Sequence, residues 1–248
     1  AANQNHPDAI YNLGIIYYEG NYVKRDIGKA IHYLTLAADY FNDARAQYNI
    51  GMIYFIGRDV PRNTDKGINY FLRSAKNNFH YAQFKIGHIY YDGIWVQKDV
   101  SKAMHYFELA ANQNDPYALI DLGFIYEEGK FVNRDIKKSI KYYKLASDQN
   151  FPEAQYNLGM IYLEGKYVKR DVKKALHYLY LASIRNFNMA TNVLALLFLN
   201  GQFVPLNYKK GMYYLSLSAK HNNANAQYFL GNFYYYGILT EKNIDKGL

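Results

Sequence analysis

Side chains that commonly catalyse reactions or hold metal ions are few and scattered along this chain. It has 7 histidines and no cysteine, so thiolate metal sites and a disulfide framework are excluded. His32, His105 and His177 share one position of a repeating pattern, but the intervening repeats would keep them about 20 Å apart, at roughly 10 Å per packed helix layer. They therefore cannot share a metal ion, and we expect neither a metal nor a cofactor.

No combination of residues points to an enzyme either. The glycines close predicted helices and do not open them, so they cannot cradle a phosphate at a helix N-terminus. No nucleophile is accompanied by a base and by donors for an oxyanion. The sequence therefore predicts a protein without catalytic activity.

Composition sets the broad class of the protein. Of its 248 residues, 50% are hydrophobic and 18% are aromatic, which suits a packed fold and argues against disorder. The longest apolar run, Val193 to Leu199, is too short to span a bilayer, so we expect no transmembrane segment. The absence of cysteine favours a reducing compartment. We predict a cytoplasmic protein, with the lumen of the endoplasmic reticulum as the alternative.

A repeat organises the whole chain. Its period is 36 residues, except for a single spacing of 37 between the first two copies, and a fixed period of this length predicts stacked supersecondary units. One glycine position reads Gly14, Gly51, Gly87, Gly123, Gly159, Ala195 and Gly231. A second reads Gly20, Gly57, Gly93, Gly129, Gly165, Gly201 and Gly237. We interpret residues 1–248 as one array with units 8–43, 44–80, 81–116, 117–152, 153–188, 189–224 and a partial 225–248, and expect it to be a segment of a longer array.

Each repeat carries two helical patterns. In the first, apolar residues recur three and four apart, as in Ala154, Leu158 and Ile161. These first helices are predicted to begin at about Pro7, Asp43, Tyr81, Pro116, Pro152, Met189 and Asn225 and to end at the second glycine. The second helices need an N-cap, which we assign to Asp26, Asn63, Asp99, Asp135, Asp171, Asn207 and Asn243. Each repeat is then an antiparallel helix pair, stable only when stacked on its neighbours.

Small residues indicate how the helices pack. A glycine in mid-helix, such as Gly159, costs about 1 kcal/mol relative to alanine, so its recurrence predicts a neighbour too close for a Cβ atom. Tyrosines at positions 17, 54, 90, 126, 162 and 234 are predicted to fill the core beside these glycines. The one additional residue lies between Asp39 and Arg45, where we expect a longer loop and a local change in stacking angle.

The repeated pattern A-x-Y-x-L-G-x-x-Y-x-x-G-x-x-V-x-x-D-x-x-K-A-x-x-Y-x-x-x-A-A resembles the Sel-one-like repeat family, a relative of the tetratricopeptide repeat. The resemblance covers essentially the whole chain. It implies an all-α, right-handed α-solenoid of antiparallel helix pairs whose first helices line a concave surface. It also implies an adaptor or scaffold that works within multiprotein complexes.

If the first helices line that surface, two rows of their residues form a groove for a peptide or protein partner. Both rows vary between repeats yet stay mostly apolar or aromatic, as expected of a binding strip. The first row is Ile15, Met52, His88, Phe124, Met160, Leu196 and Asn232. The second row is Tyr18, Phe55, Tyr91, Glu127, Leu163, Leu199 and Tyr235. The alternative is that some of these residues pack against the second helix or the next repeat.

Basic loop residues offer a different function. The net charge is +8, and stacked basic loops could bind nucleic acid or another anionic polymer. This basic edge comprises Lys24, Arg25, Arg58, Arg62, Lys98, Lys130, Arg134, Lys166, Lys169 and Arg170. Nearby acids such as Glu19 and Glu164 should partly neutralise it, so nucleic acid is the less favoured partner. A spacer attached to an unseen catalytic domain is the third possibility, and we expect a monomer or stacked arrays.

Overall fold

The computed structural model of the chain describes residues 6–238, which form thirteen α-helices and no strand. The first helices of the repeats are α1 (Pro7–Glu19), α3 (Ala44–Ile56), α5 (His80–Asp92), α7 (Pro116–Glu128), α9 (Pro152–Glu164), α11 (Asn188–Asn200) and α13 (Ala224–Tyr236). The second helices are α2 (Ile27–Thr35), α4 (Thr64–Lys76), α6 (Val100–Ala111), α8 (Ile136–Asp148), α10 (Val172–Ser183) and α12 (Tyr208–Lys220). These bounds confirm the predicted helix starts to within one residue.

The chain forms two compact units, Ala1–Leu122 and Gly123–Leu248. In the first unit each helix from α1 to α6 packs on the next, and the core contains Leu34, Ile50 and Phe71. In the second unit the helices from α8 to α13 pack in the same way around residues such as Leu179 and Leu194. Each unit is therefore an α-solenoid of helix pairs, which confirms the predicted fold class.

The predicted caps are confirmed at both kinds of helix end. Gly20, with φ of 74°, and its six counterparts all adopt the left-handed conformation that ends the first helices. Asp26 accepts a hydrogen bond from the backbone N–H of Lys29 at 2.9 Å, and the five other described caps do the same three residues on. The cap predicted at Asn243 lies outside the described residues.

The close approach predicted at the mid-helix glycines is also confirmed. A Cβ atom at Gly51 would lie 2.6 Å from a ring carbon of Phe71, on the paired second helix. At Gly159 it would lie 2.7 Å from Cγ of Leu179. The tyrosines beside these glycines are half-buried and not fully in the core. Tyr90, for example, stacks on Tyr106 with the ring centroids 6.1 Å apart.

The additional residue of the first repeat does not lengthen a loop, so that prediction is wrong. It is absorbed by a π-helical turn, Leu36–Tyr40, which continues directly from α2. The connection to α3 keeps three residues, as does the connection from α4 to α5. A π-helical turn takes up one residue because its hydrogen bonds run from i to i+5. Asp39 in this turn accepts hydrogen bonds from Tyr70 at 3.1 Å and from Arg73 at 2.6 Å, which ties it to the next repeat.

Candidate functional site

The first row of the predicted groove lies at the protein surface. All seven of its residues are half-buried or exposed. Phe124 and Leu196 stand out, because 45% and 52% of their surfaces remain accessible although both are large apolar residues. Covering such side chains with a partner removes apolar surface from water and so stabilises the complex.

The second row is divided between surface and core. Phe55 and Leu163 retain only 9% and 6% exposure, so for these two residues the packing alternative is correct. The Phe55 ring lies 5.6 Å from the ring of Phe71, and its Cβ atom closely approaches Gly67. Tyr18, Tyr91, Glu127 and Leu199 are half-buried, and Tyr235 is exposed.

Cavities open between consecutive first helices at equivalent places in the repeats. The cleft between α1 and α3 has a volume of about 180 Å³ and is lined by Ile15, Tyr18, Leu34, Asn49 and Met52 among others. The cleft between α7 and α9 has about 460 Å³ and is lined by the equivalent Phe124, Glu127, Tyr143 and Asn157, together with further loop residues. The cleft between α11 and α13 has about 240 Å³, with Leu196, Leu199, Leu215 and Phe229 at the same positions. In each cleft the row residues of the earlier first helix form one wall, and a second-helix residue forms the floor.

The wall opposite the two rows contains a position that the sequence argument missed. It reads Asn49, Lys85, Asp121, Asn157, Val193 and Phe229 in the second to seventh repeats. Its signal was variability as strong as that of the two predicted rows. Lys85 places its ammonium group 5.1 Å from the Phe55 ring, and Asp121 places Oδ2 2.8 Å from Nε2 of His88. In the three clefts described above, this position supplies Asn49, Asn157 and Phe229, so it contributes to their chemistry as well.

Glu127 is the one acidic member of the second row. Its Oε2 accepts a hydrogen bond of 3.0 Å from the hydroxyl of Tyr143, whose side chain is fully buried. Burial raises the pKa of the Glu127 carboxyl, and the negative charges of Glu164 and Glu128 raise it further. The Tyr143 hydrogen bond and the positive charge of Arg134 act in the opposite direction, but the net shift of the pKa is upward. The cleft between α7 and α9 therefore has a polar, proton-sensitive floor.

Four arginines of the predicted basic edge are committed to contacts within the fold. Each donates Nε to a carbonyl oxygen in the last turn of the preceding first helix. The pairs are Arg25 to Tyr18 at 2.9 Å, Arg62 to Phe55 at 3.1 Å, Arg134 to Glu127 at 2.8 Å and Arg170 to Leu163 at 3.0 Å. These bonds satisfy carbonyls that have no partner within the helix.

The same guanidinium groups reach the loop of the following repeat. Arg62 lies over the ring of Trp95 at 4.3 Å, Arg134 over Tyr167 at 4.7 Å and Arg170 over Phe203 at 4.6 Å. Arg25 instead forms an ion pair of 2.8 Å with Asp59, which occupies the equivalent loop position. The other members of the basic edge, Lys24, Arg58, Lys98, Lys130, Lys166 and Lys169, are exposed.

Lysines at the start of the second helices form a further row that the sequence argument missed. Lys102 holds its ammonium group 5.2 Å from the Tyr90 ring, and the same contact recurs in the other described repeats. The signal was a lysine three residues after every described cap. These lysines cover the half-buried tyrosine stacks. Over residues 6–238 no three histidine, aspartate or glutamate residues come together as metal ligands, and no helix has the length and apolarity to cross a membrane.

The sequence profile of the Sel1 repeat matches the chain seven times. The matched residues are 7–39, 44–79, 80–115, 116–151, 152–187, 188–223 and 224–248. This chain belongs to the Sel1 repeat family. Sel1 repeat proteins are generally non-catalytic scaffolds, and they typically bind other proteins.

Solved structures of Sel1 repeat proteins are similar to this chain. A protective antigen of uropathogenic Escherichia coli with an SLR fold has a TM-score of 0.90 and 26% identity, covering 99% of this chain and 52% of the antigen. The chain thus spans about half of that protein. A Sel1 repeat protein of Oxalobacter formigenes has a TM-score of 0.77 and 28% identity, covering 87% and 88% of the two chains. Yeast Tom70, with a TM-score of 0.52 and 17% identity over 95% of this chain and 49% of Tom70, shares the fold alone. No curated protein matches the sequence.

Proposed function

We propose that this Sel1 repeat chain is a non-catalytic scaffold that binds a peptide or protein through the face formed by its first helices. The observation that carries the proposal is the exposure of Phe124 and Leu196 beside the clefts. Large apolar side chains at the rim of side-chain-sized cavities are the arrangement that binding surfaces use for anchor residues. Membership of a family of scaffolds supports the same function.

Affinity in this proposal comes from apolar burial. Each square ångström of apolar surface removed from water contributes about 25 cal/mol, so covering Phe124 or Leu196 contributes roughly 1 kcal/mol or more per residue. The clefts then select partner side chains, because their walls differ in charge and size from repeat to repeat. The charges of Lys85 and Glu127 set the orientation of the partner and its rate of association.

The basic edge supports the alternative function less well. Arg25, Arg62, Arg134 and Arg170 hold helix ends and neighbouring loops together. A guanidinium group that moved to a phosphate would have to give up these contacts. The remaining cations are the lysines and Arg58.

The experiment is a pull-down from a lysate of the source cells at about 150 and about 500 mM salt, which differ in how strongly they screen charges. Wild type is compared with the double variant Phe124→Ser/Leu196→Ser. The matched control is Tyr180→Ser/Tyr213→Ser, which removes two large side chains of at least similar exposure from second helices. We expect a protein that wild type and control retain at both salt concentrations and that the first double variant loses. Nucleic acid that elutes at high salt from all three proteins would contradict the proposal.

A further inference from the structure

The cleft between α7 and α9, called here the α7–α9 cleft, differs from its counterparts in volume and chemistry. Its volume is about 460 Å³, against about 180 Å³ between α1 and α3. Two aromatic residues line it, Phe124 from α7 and Tyr167 from the loop after α9, and both remain exposed. Such a volume accommodates one long side chain of a partner with its flanking backbone.

The floor of this cleft is polar where other repeats have apolar residues. The residues equivalent to Glu127 and Tyr143 are Phe55 and Phe71 in the second repeat and Leu163 and Leu179 in the fifth, and all four are buried. A half-buried carboxylate costs free energy that an apolar pair in the same place avoids. Within residues 6–238, the Glu127 carboxylate accepts one hydrogen bond, from the Tyr143 hydroxyl to Oε2. Its other oxygen is available to a ligand.

The carboxylates of the α7–α9 cleft are only partly compensated by the chain's own cations. The positive charge of Arg134 lowers the pKa of the Glu127 carboxyl without a direct contact between the two charged groups. Among residues 6–238, neither Glu127, Glu128 nor Glu164 forms an ion pair. The basic residues that also line the cleft are occupied elsewhere. Arg134 donates to the carbonyl oxygens of Glu127 and Glu128, and Lys166 lies over the Tyr167 ring at 5.0 Å.

Lys130 is the third basic residue that lines the cleft, and it contacts the neighbouring aromatic residue of its own loop. Its ammonium group lies 5.3 Å from the centroid of the Phe131 ring. The negative charge of the three glutamates is therefore matched by cations that contact rings and carbonyls and leave the carboxylate oxygens open. The carboxylate oxygens of Glu127 and Glu164 are therefore the acceptors that a cation of the partner would meet in this cleft.

We propose that the α7–α9 cleft binds the guanidinium group of an arginine on the partner, an inference that rests on the proposed scaffold function. A guanidinium group is planar, donates up to five hydrogen bonds in a fixed fork and stacks on aromatic faces. Glu127 and Glu164 accept those hydrogen bonds, while Phe124 offers an aromatic face. The ring of Tyr167 already lies against Arg134 and Lys166 and forms the side of the cleft. An ammonium group matches less well, because it is compact and strongly hydrated.

The direct test is a titration of the full ¹⁵N-labelled chain with N-acetyl-arginine N-methylamide, followed by NMR. The neutral near-isostere is the citrulline compound, and the lysine compound tests charge alone. We expect saturable shifts at Phe124, Glu127 and Asn157, with affinity for arginine about fivefold or more above that for citrulline and lysine. Equal affinity for arginine and citrulline would overturn the proposal, and equal affinity for lysine would overturn the guanidinium assignment.

Variants locate the binding site. Glu127→Gln keeps an acceptor for the Tyr143 hydroxyl and removes the charge, and Glu164→Gln removes an exposed charge that the fold does not require. Each should reduce the affinity for the arginine compound about fivefold or more, whereas Glu108→Gln on α6 should leave it unchanged. Unchanged affinity in both cleft variants, with native circular dichroism, would overturn the proposal.

A random peptide library displayed on phage separates this inference from the scaffold function. Selection on wild type should enrich peptides with one fixed arginine, and Glu127→Gln should lose that preference. Peptides that need Phe124 and Leu196 but carry no fixed arginine would contradict the arginine inference and support the scaffold function. Saturable binding of the arginine compound, with no selected peptide that depends on Phe124 and Leu196, would support the arginine inference and contradict the scaffold function.

Discussion

The carboxyl group of Glu127 lies half-buried at the floor of the α7–α9 cleft, beside the hydroxyl of Tyr143. Its pKa is raised by burial and by the neighbouring glutamates. A carboxyl whose pKa is higher in the folded than in the unfolded chain favours folding while it is protonated. That stabilisation is lost as the pH rises through its folded pKa. At neutral pH a charge on Glu127 therefore opposes folding, and in the function proposed above it is retained for binding the partner.

A stability measurement on Glu127→Gln tests this opposition. The variant should unfold at a higher temperature than wild type at pH 7, because glutamine lacks the buried charge. The difference should shrink as the pH falls below the ordinary carboxyl range, about pH 4. Thermal unfolding by circular dichroism at both pH values is the measurement. Glu108→Gln controls for the loss of a surface charge, and a Glu127→Gln variant less stable than wild type at pH 7 would contradict the expectation.

Replacing two different glycines by alanine distinguishes the effect of lost backbone freedom from the effect of crowding in the core. Gly51→Ala should destabilise the fold by about 1–3 kcal/mol, because its Cβ atom would meet the Phe71 ring at 2.6 Å. Gly28→Ala in α2 should stabilise it by about 0.5 kcal/mol, because the added Cβ atom meets only Oδ1 of Asp26 at 3.4 Å. Urea unfolding of both variants checks the pair. Equal effects would show that Phe71 moves aside freely.

Helix ends followed from local chemistry, so they could be predicted from the sequence. A glycine must supply a positive φ, and an aspartate or asparagine must accept an orphan N–H, wherever the repeat is placed. One equally local signal was overlooked. Asn42, Asn78, Asn114, Asn150, Asn186 and Asn222 follow the second helices, and all adopt positive φ. Asparagine is the residue, after glycine, that most readily does so.

The π-helical turn could not be predicted in this way. Whether an additional residue widens a helical turn or extends a loop depends on contacts with the neighbouring repeat, here those of Asp39 with Tyr70 and Arg73. The sequence located the additional residue between Asp39 and Arg45, a stretch that overlaps only the end of the π-helical turn Leu36–Tyr40, and tertiary packing decided its conformation. Phe55 and Phe124 show the same limit, since both are phenylalanines of the predicted groove, yet one is buried and the other exposed.

Deletion of Tyr40 tests the π-helical turn as an element. Tyr40 is exposed, and its removal restores the 36-residue period, so α2 should continue as an ordinary α-helix. We expect a destabilisation of less than about 2 kcal/mol. Deletion of the exposed Asp148 from the regular α8 should cost more, because it shifts the register of Asn150. Thermal unfolding compares the two, and a more severe effect of the Tyr40 deletion would show that the turn is required.

At the scale of the whole molecule, stability is expected to vary along the array, because each repeat contacts only its neighbours. Helix α9 has six buried residues, whereas α13 has one, Ala226. Amide protection follows such differences in burial. The period and the helix pairing allowed the architecture to be predicted, but this gradient depends on side-chain burial that only the structure gives.

Hydrogen exchange monitored by mass spectrometry tests the gradient. Peptides from α13 should exchange about tenfold or more faster than peptides from α9, which corresponds to roughly 1.4 kcal/mol in local opening. Peptides from α3, which also has six buried residues, serve as a second protected reference. Equal protection of α9 and α13 would show that the repeats open together.

The arginines that join successive loops also bear on how such an array can change length. Arg62, Arg134 and Arg170 each meet an aromatic ring in the next repeat, so these junctions use one common coupling. Arg25 instead forms an ion pair with Asp59, so the junction between the first two repeats uses a different contact. Recombination between copies of the gene segment could therefore add or remove repeats at the aromatic junctions and leave every new neighbour matched. Exchange at the charged junction would set Arg25 against a ring or leave Asp59 without its cation.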